Sequence, residues 1–146
     1  DNRNACVPEG DYPFIIKDSV QADTKGGFDK NGNEKPIRQM LVLTFDFHDV
    51  NGVVRPMKDW IVFIDGMDWK LRHAANTCGL LEFYDDDRLE SAHFRNKRGV
   101  FTLGIKEMEK DGVKYKVNYV KDYVKKPVSS EAHPVTDEFY NDDVTL

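Results

Sequence analysis

Three groups of carboxylates stand close enough in the chain to do acid–base or metal chemistry: Asp46 with Asp49, Asp65 with Asp68, and the run Asp85–Asp87. Paired carboxylates can hold Mg²⁺ or move protons. Here each group brackets a turn or the start of a helix, where Asp is favoured for local hydrogen bonds to the backbone. None has a Lys or Glu at a nuclease-like spacing. His48, His73, His93 and His133 are scattered, and none lies four residues from another His or Cys. Cys6 and Cys78 are too few for a zinc site, which takes about four ligands at short spacings. No nucleophile elbow, phosphate loop or dinucleotide fingerprint is present. The Gly26-Gly27 pair has no helix after it to complete a phosphate cradle. The residues read as those of a non-enzyme without metal or cofactor.

The basic and aromatic residues offer a different chemistry. Single-stranded nucleic acid is held by Lys and Arg along its phosphates and by aromatic faces under its bases, the latter worth roughly 1–3 kcal/mol per base. Two stretches supply these types. The first contains Lys25, Phe28, Lys30, Lys35, Arg38, Arg55, Lys58 and Trp60, and the second contains Lys110, Lys114, Tyr115, Lys116 and Tyr119. Trp60 is followed by the apolar run Ile61–Ile64, which argues for burial on both faces of its strand.

The elements that must position these residues follow from periodicity and turn chemistry. Asp11–Asp18 reads as a strand, with Pro13 at its start or on an edge. Val20–Pro36 is rich in Gly and Asn and reads as a long basic loop. Ile37–His48 alternates with period two, placing Leu41, Leu43, Phe45 and Phe47 on a core face. Asp49-Val50-Asn51-Gly52 is a hairpin turn leading to Val53–Ile64, where Pro56 marks an edge or a bulge. Asp65 or Asp68 is placed to cap a helix whose apolar side is Trp69, Leu71, Ala74, Ala75 and Cys78, and Gly79 fits the left-handed position after its last turn. Asp85–Asp87 reads as a surface cap or loop, and Arg88–Phe94 as a short helical turn. Gly99–Glu109 and Val113–Val124 complete the strands, joined at Lys110-Asp111-Gly112, with Tyr115, Tyr119 and Tyr123 on one face of the last strand.

Three strands, one helix and two strands is the element order of the oligonucleotide-binding (OB) barrel. The expected fold is therefore mainly β: a five-stranded OB-like antiparallel barrel with one helix between strands three and four, followed by a flexible acidic C-terminal tail. Domain limits fall at 1–127 for the barrel and 128–146 for the tail.

At 146 residues, with 40% hydrophobic and 12% aromatic content, the chain is long enough for one well-formed core. Its net charge of −5 is unevenly spread. Residues 129–146 hold five acidic residues and no Lys or Arg, which leaves 21 acidic against 21 basic residues in the body. The body is thus neutral, and the acidic surplus does not weigh against a polyanionic ligand. Asp137, Glu138, Phe139, Tyr140, Asp142 and Asp143 form an acidic, aromatic-tipped end suited to docking a partner protein, or to competing with DNA for a basic face. No apolar run approaches the ~18–20 residues that span a bilayer, and Asp1–Cys6 does not read as a signal peptide. Two lone cysteines point to a reducing, cytoplasmic compartment.

The body also resembles a family of small phage-encoded proteins of recombination and replication modules. The matching pieces run in order: Pro8-Glu9-Gly10-Asp11-Tyr12, a Gly/Lys-rich loop into Met40-Leu41-Val42-Leu43, Asn51-Gly52, Trp60-Ile61-Val62-Phe63, Trp69-Lys70-Leu71-Arg72, Cys78-Gly79-Leu80 and Asn96-Lys97-Arg98-Gly99-Val100. The likeness covers about 8–124 and implies single-stranded-DNA binding on an OB-like barrel, in the host bacterial cytoplasm. The final Val144-Thr145-Leu146 departs from the usual tip of bacterial single-stranded-DNA-binding proteins. The resulting expectation is a sequence-independent single-stranded-DNA-binding protein supporting phage DNA replication and recombination, able to form a homo-oligomer. The contrasting expectation is a protein-interaction module, such as a phage inhibitor acting on a host DNA-binding protein.

Overall fold

The structure, a computed structural model, describes residues 6–126. The acidic end, including Asp137, Glu138, Phe139, Tyr140, Asp142 and Asp143, lies outside the described residues. Five strands, β1 (Gly10–Asp23), β2 (Gln39–His48), β3 (Val54–Val62), β4 (Arg98–Lys110) and β5 (Val113–Tyr123), form one antiparallel sheet in the order β3-β2-β1-β4-β5. Helices α1 (Asp68–Thr77) and α2 (Leu81–Asp85), with 3-10 turns at Asp65–Met67 and Ser91–Phe94, fill the connection between β3 and β4. The sheet does not close into a barrel, because β3 and β5 end the hydrogen-bonded order without pairing to each other.

The alternation in β2 places its residues as expected. Leu41, Leu43, Phe45 and Phe47 are buried, and they meet Tyr12, Phe14 and Ile16 from β1, Phe101 and Leu103 from β4 and Val120 and Tyr123 from β5 in one core. Phe101 sits at its centre, with ring centroids 4.9 Å from Phe45, 5.1 Å from Phe47 and 5.8 Å from Phe14. Pro13 lies where β1 pairs only with β4, since the β1–β2 register begins at Phe14. Strand β1 continues to Asp23, well past Asp18, so the basic connection shrinks to 24–38.

The β2–β3 turn is held by one carboxylate. Asp49 accepts hydrogen bonds from the backbone N–H groups of Asn51 and Val53 (both 2.9 Å) and pairs with Arg55 at 2.9 Å. The Val53 N–H holds the Asp49 carboxyl below its ordinary pKa; burial opposes this, and Arg55 and the Asn51 N–H add to it. A lowered folded-state pKa contributes stability that is fully present above the unfolded value, about 3.9, and lost as pH falls through the folded value. Replacing Asp49 with Asn is expected to flatten the acid limb of the stability–pH curve, as read by urea midpoints from pH 7 down to pH 3.

Several side chains depart from the sequence expectation. Trp60–Ile64 is not buried on both faces: β3 is an edge strand, so only Ile61 of this run is buried, and Trp60, Phe63 and Ile64 are exposed. Trp69 is 45% exposed, donating its indole N–H to the Gly66 carbonyl at 3.0 Å, whereas Lys70 is buried in its place. Neither Asp65 nor Asp68 caps a helix through its side chain. Asp85–Asp87 does form a surface cap, with Asp85 ending α2 and Asp86 at its C-cap, but the helical turn of the next segment is confined to Ser91–Phe94. Gly79 does take the left-handed conformation, with φ +76°.

Strand β5 holds the largest reversal. Its register with β4 shifts between Thr102 and Leu103, whose partners are Asp122 and Val120, leaving Lys121 as an extra residue. A bulge of this kind inverts the parity of side chains beyond it. Tyr123 therefore faces the core opposite Phe101, while Tyr119 lies outside opposite Gly104. The expected single face for Tyr115, Tyr119 and Tyr123 is divided.

One buried polar cluster spans the unpaired seam. The Lys70 ammonium of α1 donates to Asp59 of β3 at 3.2 Å and to the Val120 carbonyl of β5 at 2.7 Å. The Tyr123 hydroxyl donates to the second Asp59 oxygen at 2.8 Å. Burial, followed by the Asp59 charge and hydrogen bond, pushes the Tyr123 hydroxyl well above its usual pKa, so it remains a donor at neutral pH. The edges that do not share a ladder are thus joined by side chains.

Candidate nucleic-acid interface

The outer face of β1, β2 and β3 is built from residues of one parity in each strand. The register sets Val20, Val42 and Trp60 in one row, Ala22, Met40 and Val62 in the next, and Asp18, Thr44 and Lys58 in a third. β-Branched and long apolar side chains favour these strand positions by propensity, and edge exposure leaves the Trp60 ring 52% open. The result is an apolar strip with a half-exposed indole at its border and Lys58 beside it.

The 24–38 connection leaves from the end of this strip, between Asp23 and Gln39. It exposes Lys25, Lys30, Lys35 and Arg38, and Phe28 is 70% exposed. It is a shaped finger rather than an extended strap. Phe28 and Glu34 form an isolated β-bridge, the Lys35 N–H donates to the Gly27 carbonyl at 2.8 Å, and Asp29 accepts from the N–H groups of Asn31 and Asn33. Its root is pinned by the Arg38 N–H on the Thr24 hydroxyl at 2.9 Å.

The remaining members of the set are placed elsewhere. Arg55 faces the Phe47 end of the ribbon, where its guanidinium serves Asp49. The β4–β5 hairpin leaves β1 at the opposite end from the 24–38 finger, because Leu103 already pairs with Gly10, the first residue of β1. Beyond that point Lys106–Lys116 is exposed along both strands. Asp111 and Gly112, with φ +55° and +78°, make the two-residue turn that Asp-Gly favours. This turn sets Glu107 opposite Lys116 and Glu109 opposite Lys114 on one face. A carboxylate therefore stands across the hairpin from each of those two lysines. The other face carries Lys106, Met108 and Lys110 with Val113, Tyr115 and Val117.

Lys106 was missed by the sequence reading. Its ammonium lies 5.1 Å from the centroid of the Tyr119 ring. That ring covers Gly104 so closely that a Cβ there would stand 2.6 Å from Tyr119 Cε1. The signal was available: a two-residue Asp-Gly turn fixes the cross-strand partners by counting back from Lys110 and Val113.

Among the described residues no group of three or more His, Cys, Asp or Glu is placed to hold a metal ion. His73 pairs with Asp122 at 2.8 Å, and the His93 ring accepts the Glu90 N–H at 3.0 Å and stacks on Phe83. Both cysteines are free; Cys78 is buried, which pushes its thiol up to about 12. No helix among the described residues is long and apolar enough to cross a membrane. Compared with known proteins, the chain matches no family model and no curated protein significantly.

Proposed function

We propose that the protein binds single-stranded DNA without sequence preference and without catalysis, on the outer face of β1, β2 and β3. The carrying observation is Trp60: a large aromatic ring, half open on a sheet face, with Lys58 beside it and a basic finger at the end of the strip. A base can stack on an indole left half exposed there. The finger residues Lys25, Lys30, Lys35 and Arg38 supply cations for the phosphates, and Phe28 a second ring. The strand order β3-β2-β1-β4-β5 with a helix before β4 supports reading the body as an OB-like barrel left open along one seam. A role in phage replication or recombination, and partner docking by the acidic end, rest on the family resemblance and on charge.

Titration of a fluorescent oligo-dT at two salt concentrations tests this directly. Log K should fall with log salt by roughly 0.7 per phosphate neutralised. Trp60→Ala should weaken binding by roughly 1–3 kcal/mol, the worth of one stacked base, while Trp69→Ala on α1 leaves it unchanged. Absence of binding at low salt, or equal effects of the two tryptophans, overturns the reading.

A further inference from the structure

An open cleft of about 360 Å³ lies between α1, α2 and the Ser91–Phe94 turn. Leu41 and Phe94 are buried at its base, with Leu71 half-buried above them. Asp68, Asp87 and Glu90 stand exposed around it, and no Lys or Arg lines it. The neighbouring Arg88 is engaged by Asp86 at 3.0 Å and by the Phe83 ring, 5.0 Å from its centroid, and borders an adjoining hollow with Asp87 and Glu90. Asp68 is held by the Tyr84 hydroxyl at 2.5 Å and Glu90 by the backbone of the 3-10 turn, whereas Asp87 makes no ion pair among the described residues. An apolar base under three carboxylates selects an apolar side chain flanked by cations.

The chain itself presents such a group. The 24–38 finger carries Phe28 exposed, with Lys25 and Lys30 close by in sequence, while Asp29 is turned to the Asn31 and Asn33 N–H groups and Glu34 lies across the finger from Phe28. Its turn is already closed by its own hydrogen bonds, so docking it orders little. Cleft and finger also lie at the same end of the sheet. Gln21 and Leu41 pair across β1 and β2 and line the cleft, and two residues further on Asp23 and Gln39 pair where the finger leaves. Two determinants at one end can be satisfied reciprocally about a two-fold axis, which gives a closed dimer rather than a filament.

We infer that this cleft receives the Phe28 finger of a second copy, Phe28 entering over Leu71 and Phe94 with Lys25 and Lys30 meeting Asp87 and Glu90. The inference stands apart from DNA binding, although both use the finger and so exclude each other.

The test is sedimentation velocity of the full chain without DNA, at low salt and across concentration. The wild type should dimerise. Asp87→Lys with Glu90→Lys should raise the dimer dissociation constant at least tenfold, since like charges placed face to face oppose association. Lys25→Glu with Lys30→Glu should do the same. Mixing these two doubly reversed variants makes both contacts complementary again, so a heterodimer should form where neither variant pairs with itself. Asp87→Gly guards against misfolding: Asp87 has φ +57°, a conformation glycine adopts more readily. This variant should keep or raise the unfolding midpoint while weakening association. Trp60→Ala should leave the dimer intact, which separates this result from the DNA reading. A chain that stays monomeric at all concentrations overturns the inference. So does association indifferent to both reversals, or a monomer whose cleft binds only a synthetic Lys-Gly-Gly-Phe-Asp-Lys peptide.

Discussion

Asp59→Ala is expected to lower the unfolding free energy by about 3–5 kcal/mol, the usual cost of removing one partner from a buried ion pair. The loss comes less from the missing attraction than from what remains. Lys70 is 8% exposed and would be left with only the Val120 carbonyl as partner, while the Tyr123 hydroxyl would lose its acceptor. Domains of this kind have roughly 5–15 kcal/mol in total, so the shift in the urea midpoint should be unmistakable. The combined replacement Asp59→Leu, Lys70→Met and Tyr123→Phe should recover most of it, because a well-packed apolar cluster is often as stable as the ion pair it replaces. A midpoint that barely moves in Asp59→Ala would show that water reaches the seam. Recovery in the triple variant would show that the polar cluster fixes how β3, β5 and α1 meet more than how strongly they hold.

Phe101→Ala should cost a similar amount, about 3–5 kcal/mol, from lost transfer energy and the cavity left behind. Phe101 is fully buried and touches the rings of Tyr12, Phe14, Phe45 and Phe47, which come from two other strands and cannot all close the gap. The same chemical deletion at Phe28 provides the control. That ring is 70% exposed, and surface changes usually stay within about 0.5 kcal/mol. Urea unfolding of the two variants should therefore separate widely, while near-ultraviolet circular dichroism should dim only for Phe101→Ala. Equal destabilisation would mean that the 24–38 finger packs on the body and is not free to meet a ligand.

Much of the architecture was legible because it is written locally. Leu41, Leu43, Phe45 and Phe47 reveal their core face by period two alone, and Asp111-Gly112 and Gly79 mark chain reversals through backbone conformations few other residues take. Five strands and the place of the main helix follow from such signals. The candidate interface was legible only in part. Phe28 and the lysines around it are exposed as a Gly- and Asn-rich loop suggests, but the exposure of Trp60 was hidden behind the apolar run after it.

The remaining features depend on residues distant in the chain. Lys70 looks like a surface helix residue until Asp59 and Val120, from two different strands, are placed around its ammonium. Trp69, its apolar neighbour, is left outside because α1 turns the Lys70 side toward the seam. Lys121 gives no local sign of a bulge, yet it sends Tyr123 inward and Tyr119 outward. Nothing local in Lys114 and Lys116 tells that Glu109 and Glu107 stand across the hairpin from them. The strands, their turns and the inward face of β2 can be read from neighbouring residues, since periodicity and backbone sterics act over a few positions. Which polar groups are buried, which rings stay open and that the sheet stops short of closing emerge only once the strands and α1 are packed together. Those outcomes are set by partners that the chain brings together from tens of residues away.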